Sequence, residues 1–202
     1  MPGYFNKARV ETFSDGIFAI IVTLLVLELK VPHIRDHGSP AELAMALKAL
    51  LPKLSSWIIS FLMVCVIWVN HHRLFEKMRT ITHRIFWLNA LLLLWCSLIP
   101  FPTALIGDYP DNPVALSVFG VALALMALSF YLLRKGMAAN PEVLREDTDM
   151  DAFRKESGKS LFFGPALYLV GALFSWVNPL ISFAVFAFIP LYFIFWGSKG
   201  KS

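Results

Sequence analysis

A serine–aspartate pair stands inside an apolar run of membrane length, in the segment VETFSDGIFAIIVTLLVLELKV from Val10 to Val31. A carboxylate inside a membrane helix is costly, so Asp15 must face protein or water and must have polar partners. A segment of this kind is typical either of a transport pathway or of a buried polar clamp. The rest of the chain has to supply the partners and decide between the two.

A second polar cluster, WVNHHR at residues 68–73, ends the next apolar run. His71 and His72 are adjacent and point about 100° apart on a helix, so they cannot easily bind one metal ion together. No HExxH spacing and no cysteine accompanies them, which argues against a zinc site.

This cluster allows two interpretations. The first is that its polar and aromatic side chains anchor the helix at the membrane interface. The second is that one of the two histidines hydrogen-bonds Asp15, which we expect at a similar depth in the membrane. Trp87 and Asn89, at the start of the third apolar run, would lie at matching depth and could join that network.

The sequence contains no pattern that supports enzyme chemistry. It has no nucleophile motif, no glycine-rich phosphate loop and no paired carboxylates. Ser14 beside Asp15, with a distant histidine, has the residue types of a hydrolase, but no spacing supports that arrangement. We therefore predict that the protein is not an enzyme and needs no cofactor. Cys65 and Cys96 lie in apolar runs and should behave as small buried hydrophobic residues.

The composition is that of an integral membrane protein. Of the 202 residues, 57% are hydrophobic and only 16% are charged, against roughly 25% in soluble domains. The mean hydropathy is +0.65. Eighteen phenylalanines and six tryptophans fit a lipid-facing surface with interfacial aromatic residues. The net charge of +4 does not indicate nucleic-acid binding, because the basic residues lie between apolar runs, where they would meet lipid headgroups.

Six apolar segments approach the roughly 20 residues that a helix needs to cross the hydrocarbon core. Pro32 ends the first segment, and Pro100 and Pro102 lie near the end of the third. Only Asn178-Pro179 separates the last two, and this turn signal favours a tight helical hairpin over one long helix. We predict an all-α membrane protein with six transmembrane helices in one domain over residues 1–202, at residues 9–31, 54–72, 85–106, 113–133, 160–177 and 179–196.

Basic residues are concentrated in alternate connections. The second and fourth connections and both termini carry lysines and arginines, whereas the third holds Asp108 and Asp111 without a basic residue and the fifth has no charge. The positive-inside rule then places both termini in the cytoplasm. The first connection departs from this rule, because it carries four basic residues on the side predicted to be external.

Two connections carry patterns of their own. The stretch PAELAMALKALLPKL at residues 40–54 predicts a short amphipathic helix at the outer membrane surface. The mixed-charge stretch NPEVLREDTDMDAFRKESGK at residues 140–159 has no cysteine or histidine, so we interpret it as a solvated cytoplasmic linker or helix.

Five residues of the first segment share one broad helical face: Gly16, Ile20, Thr23, Leu24 and Leu27. A face of this composition is usually buried in a helix bundle or in contact with lipid. The other interpretation is a pore wall. A helix with few charges can line a pore when several copies surround one axis and an apolar ring gates it by dewetting. The spacing leaves both interpretations open.

The string RxxxFSD at residues 9–15, followed by AIIVTLLVLELKVP and later by WVNHHR, resembles the transmembrane protein 175 family, the potassium channels of lysosomes and bacteria. The match is specific for the first three helices, and the six-segment layout extends it along the chain. Animal members resemble two such units fused, whereas this chain has one. The resemblance therefore implies a prokaryotic member in the plasma membrane, assembled as a homotetramer with the first helix of each copy lining a central pore.

The resemblance also implies roles for individual residues. The family's constriction, five residues after the motif aspartate, falls on Ile20, and its further apolar pore positions match Leu24 and Leu27. Its pore-facing threonine falls on Thr23, a candidate for cation selectivity. The motif holds the first helix against its neighbours through buried hydrogen bonds. Here these would involve Arg9, Phe13, Ser14 and Asp15, with Trp68, His71 or His72, and Asn89 as partners.

Three functions are compatible with these features. The first is a moderately potassium-selective channel with an apolar constriction and without the TVGYG filter, a motif that this sequence lacks. Potassium is then the permeant ion, and the partners are lipids, monovalent cations and other copies of the chain, with no nucleic acid. The second is a proton-conducting or proton-coupled transporter that uses Asp15 and histidine, although the sequence shows no sign of a helix broken at mid-membrane or of an inverted repeat. The third is a helical scaffold that transports nothing.

Overall fold

Helices account for almost all of the regular structure in the computed structural model, which describes residues 5–195 without the side chains of residues 159–163. Several helices begin where a side chain caps the first turn, as at Asn6, Ser39, Thr82 and Asn112. The α-helices of the described residues are α1 Lys7–Leu25, α2 Pro40–Ala49, α3 Leu51–Glu76, α4 His83–Leu98, α5 Pro100–Asp108, α6 Pro113–Ala138, α7 Met150–Leu161, α8 Leu167–Phe174 and α9 Pro179–Phe195. Shorter turns are the 3-10 segments Val26–Glu28 and Pro141–Val143 and the π-helical segment Phe162–Ala166.

One face of α1 packs against α3 and α4. Its buried residues recur every three or four positions, as a helix with one buried face requires: Val10, Ser14, Phe18, Ile21 and Leu25. The run predicted for residues 9–31 is helical only to Glu28. Leu29 leaves the helical region, with φ −85° and ψ 84°, because a helix usually ends before the residue that precedes a proline, here Pro32.

The third predicted segment, residues 85–106, is divided between α4 and α5. Pro100 has no amide proton and so cannot donate to the carbonyl of Cys96. The amide of Ile99 donates to that carbonyl instead, at 3.1 Å. The interruption is local, since residues His83–Asp108 together are long and apolar enough to form one membrane span.

The helix α6 packs against α4, α5, α7 and α8 and so organises the bundle. The hairpin of α8 and α9 closes on α6 through Phe186, a fully buried ring. A Cβ added at Gly171 of α8 would lie 2.6 Å from this ring, and one at Gly120 of α6 would lie 2.9 Å from it. Both positions need glycine because any side chain there would occupy the space of the ring.

The predicted helical hairpin near the end of the chain is confirmed. Its turn lies at Asn178-Pro179, where Asn178 Oδ1 accepts the amide proton of Leu180 at 2.9 Å. The predicted all-α class is also confirmed, with six apolar helical segments in the predicted order. Within the described residues, four stretches are long and apolar enough to span a membrane, and Gly164–Phe174 and Pro179–Phe195 are shorter. The end predicted at residue 196 lies outside the described residues.

The predicted solvated linker at residues 140–159 is wrong in one respect: the helix α7 within it has a buried side. Phe153 is 1% exposed and lies under two cations. Lys77 Nζ is 5.4 Å and Arg134 Cζ is 5.0 Å from the centroid of its ring. Arg134 also donates to Glu156 Oε2 at 3.3 Å. These contacts tie α7 to the ends of α3 and α6.

Two isolated antiparallel bridges hold the α3–α4 connection against its neighbours. Phe5 pairs with Ile81, and Met78 pairs with Leu144. The Phe5 amide donates to the Ile81 carbonyl at 2.9 Å, and the Phe5 ring stacks on Phe86 at 4.4 Å between centroids. These bridges thus join three segments: the residue before α1, the α3–α4 connection and the α6–α7 connection. All three lie at the end of the bundle that the charge pattern predicts to be cytoplasmic.

The first connection lies at the other end of the bundle. Residues 40–54, predicted as one amphipathic helix, are divided between two helices: α2 ends at Ala49 and α3 begins at Leu51. No residue of α2 is buried, as expected of a helix on a surface. Glu42 accepts the backbone amides of Arg35 at 2.7 Å and Asp36 at 3.0 Å, and these hydrogen bonds lower the pKa of its carboxyl group.

Candidate functional site

One apolar face of α1, continued by the 3-10 turn Val26–Glu28, is left uncovered by the other helices of the described residues. Ile20, Leu24 and Leu27 are 58%, 42% and 66% exposed, and Thr23 is exposed among them. The spacing predicted that these four residues share a face, and the structure places them on one. In a membrane protein such a face must contact lipid, water or other copies of the chain.

The same uncovered face continues toward the start of α1. Gly16 and Thr12 are both exposed, and a Cβ built at Gly16 would meet no heavy atom within 4 Å beyond the helix backbone. Thr12 Oγ1 donates to the carbonyl of Ala8 at 2.9 Å, and Thr23 Oγ1 donates to that of Ile20 at 2.8 Å. Each hydroxyl proton therefore points into its own helix, so the oxygen keeps lone pairs for a ligand.

The opposite side of α1 carries a chain of buried hydrogen bonds. His71 Nε2 lies 2.8 Å from Asn89 Oδ1, which can only accept, so the histidine donates. Asn89 Nδ2 donates to Ser14 Oγ at 3.0 Å, and Ser14 Oγ donates to the carbonyl of Val10 at 2.8 Å. All three side chains are at most 1% exposed. The chain joins α3, α4 and α1, as the motif predicted for Ser14 and Asn89.

The predicted hydrogen bond between Asp15 and a histidine is wrong. Trp68 Nε1 donates to Asp15 Oδ1 at 2.9 Å, and within the described residues neither His71 nor His72 bonds this carboxylate. The reason is helical geometry: Ser14 and Asp15 are about 100° apart, so only Ser14 faces the site of His71 and Asn89. Asp15 is exposed and lies beside the interfacial ring of Trp68.

Other predicted members of the network lie outside it. Arg9 and Phe13 are exposed on α1, away from the buried face, so in a single copy they do not hold α1 against its neighbours. His72 Nε2 is 3.5 Å from Glu76 Oε1 on the exposed side of α3. Trp87 Nε1 bonds the side chain of His83, one turn earlier on α4, and does not reach the buried chain.

Two polar contacts between α3 and α5 were not foreseen. Lys53 Nζ and Asp108 Oδ1 are 2.5 Å apart at the end of the bundle where α3 begins. Thr103 Oγ1 donates to Ser60 Oγ at 2.7 Å inside the bundle. A lysine and an aspartate in different connections carried no signal of their proximity. A threonine and a serine inside apolar runs signalled only that each needed some partner.

No metal or cofactor site is apparent in the described part of the chain. No group of three or more histidine, cysteine, aspartate or glutamate side chains there could hold a metal ion. Cys65 and Cys96 are free thiols, with Cys96 buried and Cys65 partly buried. The uncovered side of α1 thus offers apolar walls, the hydroxyl oxygens of Thr12 and Thr23, and the exposed carboxylate of Asp15.

These features define a class of protein: a helical membrane protein whose first helix is fixed on one side by buried polar bonds and uncovered on the other. The family model described as "Endosomal/lysosomal potassium channel TMEM175" matches residues 9–100. A protein of Chamaesiphon minutus named a potassium channel is 37% identical over 198 residues, which cover 95% of each chain. The chain belongs to the TMEM175 family.

A solved structure has a similar fold over most of the chain. The crystal structure of a lysosomal potassium-selective channel TMEM175 homolog from Chamaesiphon minutus matches with a TM-score of 0.79 and 37% identity, covering 93% of this chain and 96% of that chain. A more distant relative, the endosomal/lysosomal proton channel TMEM175 of Gallus gallus, is 25% identical over 193 residues. This alignment covers 94% of this chain but 36% of the chicken protein.

Proposed function

We propose that the protein is a potassium channel, in which the α1 helices of a homotetramer surround a central pore. The observation that carries the proposal is the uncovered face of α1, with Ile20, Thr23, Leu24 and Leu27 exposed while the opposite face is buried. One helix cannot enclose a pore, so further copies related by a rotation axis must supply the other walls. The relative from Chamaesiphon minutus, named a potassium channel, supports this proposal because it aligns along almost the whole chain.

The constriction of this pore is a ring of Ile20 side chains. Ile20 is exposed on α1 and has no polar group to replace water around a cation. A narrow apolar neck excludes water and so blocks ions, whereas a modest widening admits water and lets them pass. Leu24 and Leu27 extend the apolar wall outward from the same face. The neck therefore acts as the gate.

Moderate selectivity follows from the hydroxyl of Thr23 beside the neck. Its proton is bonded to carbonyls of its own helix, at 2.8 Å from Ile20 and 3.1 Å from Ala19, so its oxygen can replace part of a cation's hydration shell. Potassium releases water more easily than sodium does, which favours potassium wherever partial dehydration is required. A ring of single hydroxyls offers fewer oxygens than a carbonyl filter, and we expect a weaker preference.

A proton pathway through Asp15 and histidine is the alternative, and the name of the chicken relative is compatible with it. The hydrogen bonds do not favour it in this chain. Asp15 is bonded to the indole of Trp68, which donates but cannot accept a proton and therefore cannot relay one. His71 is bonded to Asn89, whose amide is not a proton carrier at ordinary pH. Both bonds fit a clamp for α1 better than a relay.

The setting is the plasma membrane of a prokaryote, with both termini in the cytoplasm. Lysines and arginines lie at the end of the bundle that holds Phe5 and the α3–α4 and α6–α7 connections, as the positive-inside rule requires of a cytoplasmic face. The opposite end holds Asp108 and Asp111, together with the four basic residues of the first connection, so fewer basic residues lie there than at the proposed cytoplasmic end.

Single-channel recording of the purified protein in a planar bilayer tests the proposal. We expect unitary currents that reverse closer to the potassium than to the sodium equilibrium potential under bi-ionic conditions. Thr23→Val should move the reversal potential toward that of sodium while the protein still elutes as a tetramer. The matched control is Ser97→Ala, which removes an exposed hydroxyl of α4 that bonds its own helix in the same way, to Leu94 at 2.8 Å. A protein that elutes as a tetramer and passes no unitary current would contradict the channel.

A further inference from the structure

Thr12 lies on the same line along α1 as Thr23. The two residues are eleven positions apart, which is about three helical turns, so their side chains point within about 20° of each other and roughly 16 Å apart along the helix. Ile20 lies between them, about 5 Å from the level of Thr23 and about 12 Å from that of Thr12. If Thr23 faces a pore axis, Thr12 faces it too, on the cytoplasmic side of the neck.

The geometry of the Thr12 side chain suits a cation ligand. Thr12 is exposed, and its hydroxyl proton is donated to the carbonyl of Ala8 at 2.9 Å. The oxygen therefore presents lone pairs outward, as that of Thr23 does. Gly16, one turn nearer the neck, has no side chain, and a Cβ there would meet nothing within 4 Å beyond the helix backbone. The space between Thr12 and the neck is thus left open for an ion with its water.

The charges near this space also favour a cation. Asp15 is exposed, and Trp68 bonds only its Oδ1. Within the described residues its carboxylate makes no ion pair that would cancel the charge. Arg9 opposes this attraction, because Thr12 is three residues from each of Arg9 and Asp15, but an ion held on the Gly16 side of the Thr12 hydroxyls is nearer to the level of Asp15 than to that of Arg9. The positive end of the α1 dipole, at Lys7, also lies beyond the turn that holds Thr12.

We propose that the Thr12 hydroxyls of the assembled copies form an inner cation site, which holds a partly hydrated potassium ion between the cytoplasm and the Ile20 neck. This inference rests on the proposed channel, because one copy supplies only part of the ring. The site raises the local potassium concentration just below the gate. It therefore sets how readily the open pore is loaded from the cytoplasmic side, whereas Thr23 acts on the outer side of the neck.

The test is the dependence of outward unitary current on the potassium concentration at the cytoplasmic side. Thr12→Val keeps the shape of the side chain and removes the oxygen. We expect it to raise the half-saturating cytoplasmic concentration severalfold, with a smaller effect on inward current. Thr12→Ser should restore the wild-type value, and Ser97→Ala on α4 should not change it. A half-saturating concentration for Thr12→Val equal to that of the wild type would overturn the inference.

A second measurement uses the wild-type protein, so it does not depend on whether a variant folds. Crystals of the wild-type protein grown with thallium, a potassium substitute, should show anomalous density at the level of Thr12. Density elsewhere in the pore with none at Thr12 would overturn the inner site and leave the channel standing. A wild-type protein that passes no potassium current would overturn the proposed function and this inference with it. A shifted reversal potential for Thr23→Val, combined with no effect of Thr12→Val, would overturn only the inner site.

Discussion

The buried hydrogen bonds around α1 run in one direction. His71 donates to Asn89, Asn89 to Ser14, and Ser14 to the carbonyl of Val10, so each of these three buried side chains has a hydrogen-bond partner. A buried polar group without a partner costs about 1–3 kcal/mol, and this cost fixes the position of α1 against α3 and α4. At the scale of single residues, polar bonds hold α1 on one side, while its other side is left uncovered.

We predict that the hydrogen bonds joining His71, Asn89 and Ser14 behave as one energetic unit. Asn89→Ala and Ser14→Ala should each lower the free energy of unfolding by about 1–3 kcal/mol, because each leaves a buried partner unsatisfied. The double variant should lose clearly less than the sum of the two. Thermal unfolding of the detergent-solubilised protein measures this, with Ser97→Ala as the control for an exposed hydroxyl. Full additivity of the two losses would show that the contact contributes nothing.

A second residue-level prediction concerns the gate. Ile20→Asn should wet the neck and raise unitary conductance at least about twofold, because an amide holds water where isoleucine excludes it. Ile58→Asn is the matched control, since Ile58 is 48% exposed on α3 and outside the proposed pore face. Bilayer recording of both variants measures the effect. Equal conductance of Ile20→Asn and the wild type, at normal expression, would remove Ile20 from the gate.

The sequence identified most residues of the polar network but not all of its pairs. Ser14, His71 and Asn89 form one chain of hydrogen bonds, and Asp15 and Trp68 form a separate pair. Which of two adjacent side chains faces a given neighbour depends on the rotation of α1 about its axis. That rotation is set by the packing of Val10, Phe18, Ile21 and Leu25 against two other helices, and no local pattern records it.

At the scale of elements, hydropathy predicted the helices better than it predicted their ends. Residues 54–72 marked the second segment, but α3 runs from Leu51 to Glu76. Residues 113–133 marked the fourth, but α6 continues to Ala138. The apolar part of a membrane helix ends near the edge of the hydrocarbon core. The helix itself can continue into water until a capping residue or a turn ends its backbone hydrogen bonds. The polar ends of α3 and α6 then carry the contacts with α7.

The approach of α8, α9 and α6 depends on glycine, which gives a prediction at this scale. Gly171→Ala should lower the free energy of unfolding by about 1–3 kcal/mol, because its Cβ would lie 2.6 Å from the ring of Phe186. Gly158→Ala on α7 is the matched control: nothing lies within 4 Å of its Cβ, so it should be neutral or stabilising by up to roughly 1 kcal/mol. Thermal unfolding compares them, and equal stability of the two variants would contradict the packing role of Gly171.

At the scale of the whole molecule, the charge pattern predicts which end of the bundle faces the cytoplasm, whereas the sequence does not predict how many copies assemble. Most basic residues lie at one end of the bundle, although the first connection carries four at the other, so the orientation stays a prediction from the balance of charge. The number of copies around the pore follows from which exposed faces fit each other. Exposed apolar residues on α1, α4 and α9 look alike in composition, whether they meet lipid or protein. The tetramer therefore stays a prediction from family resemblance.

The orientation can be tested with cysteines placed at the two ends of the bundle. His37 and Asp147 are both exposed, in the first connection and in the α6–α7 connection. On intact cells a membrane-impermeant maleimide should label His37→Cys, and it should label Asp147→Cys only after permeabilisation. The parent protein, with Cys65 and Cys96 alone, controls for reaction inside the bundle. Labelling of Asp147→Cys on intact cells would invert the topology.

The bridge between Phe5 and Ile81 has a mechanical consequence for how the neck can widen. It ties the start of α1 to a connection that is itself tied to Leu144, whereas the far end of α1 runs into an exposed loop. A rigid tilt of α1 about this tie, with the α3 and α4 helices that contact its buried face moving along with it, would have its pivot near residue 6. Ile20 lies about 21 Å from that pivot along the helix, and Glu28 lies about 33 Å from it. A tilt of about 6° would therefore move Ile20 by roughly 2 Å and Glu28 by roughly 3 Å. A molecule that grips the outer tip would hence have more leverage over the gate than one that acts from the cytoplasm.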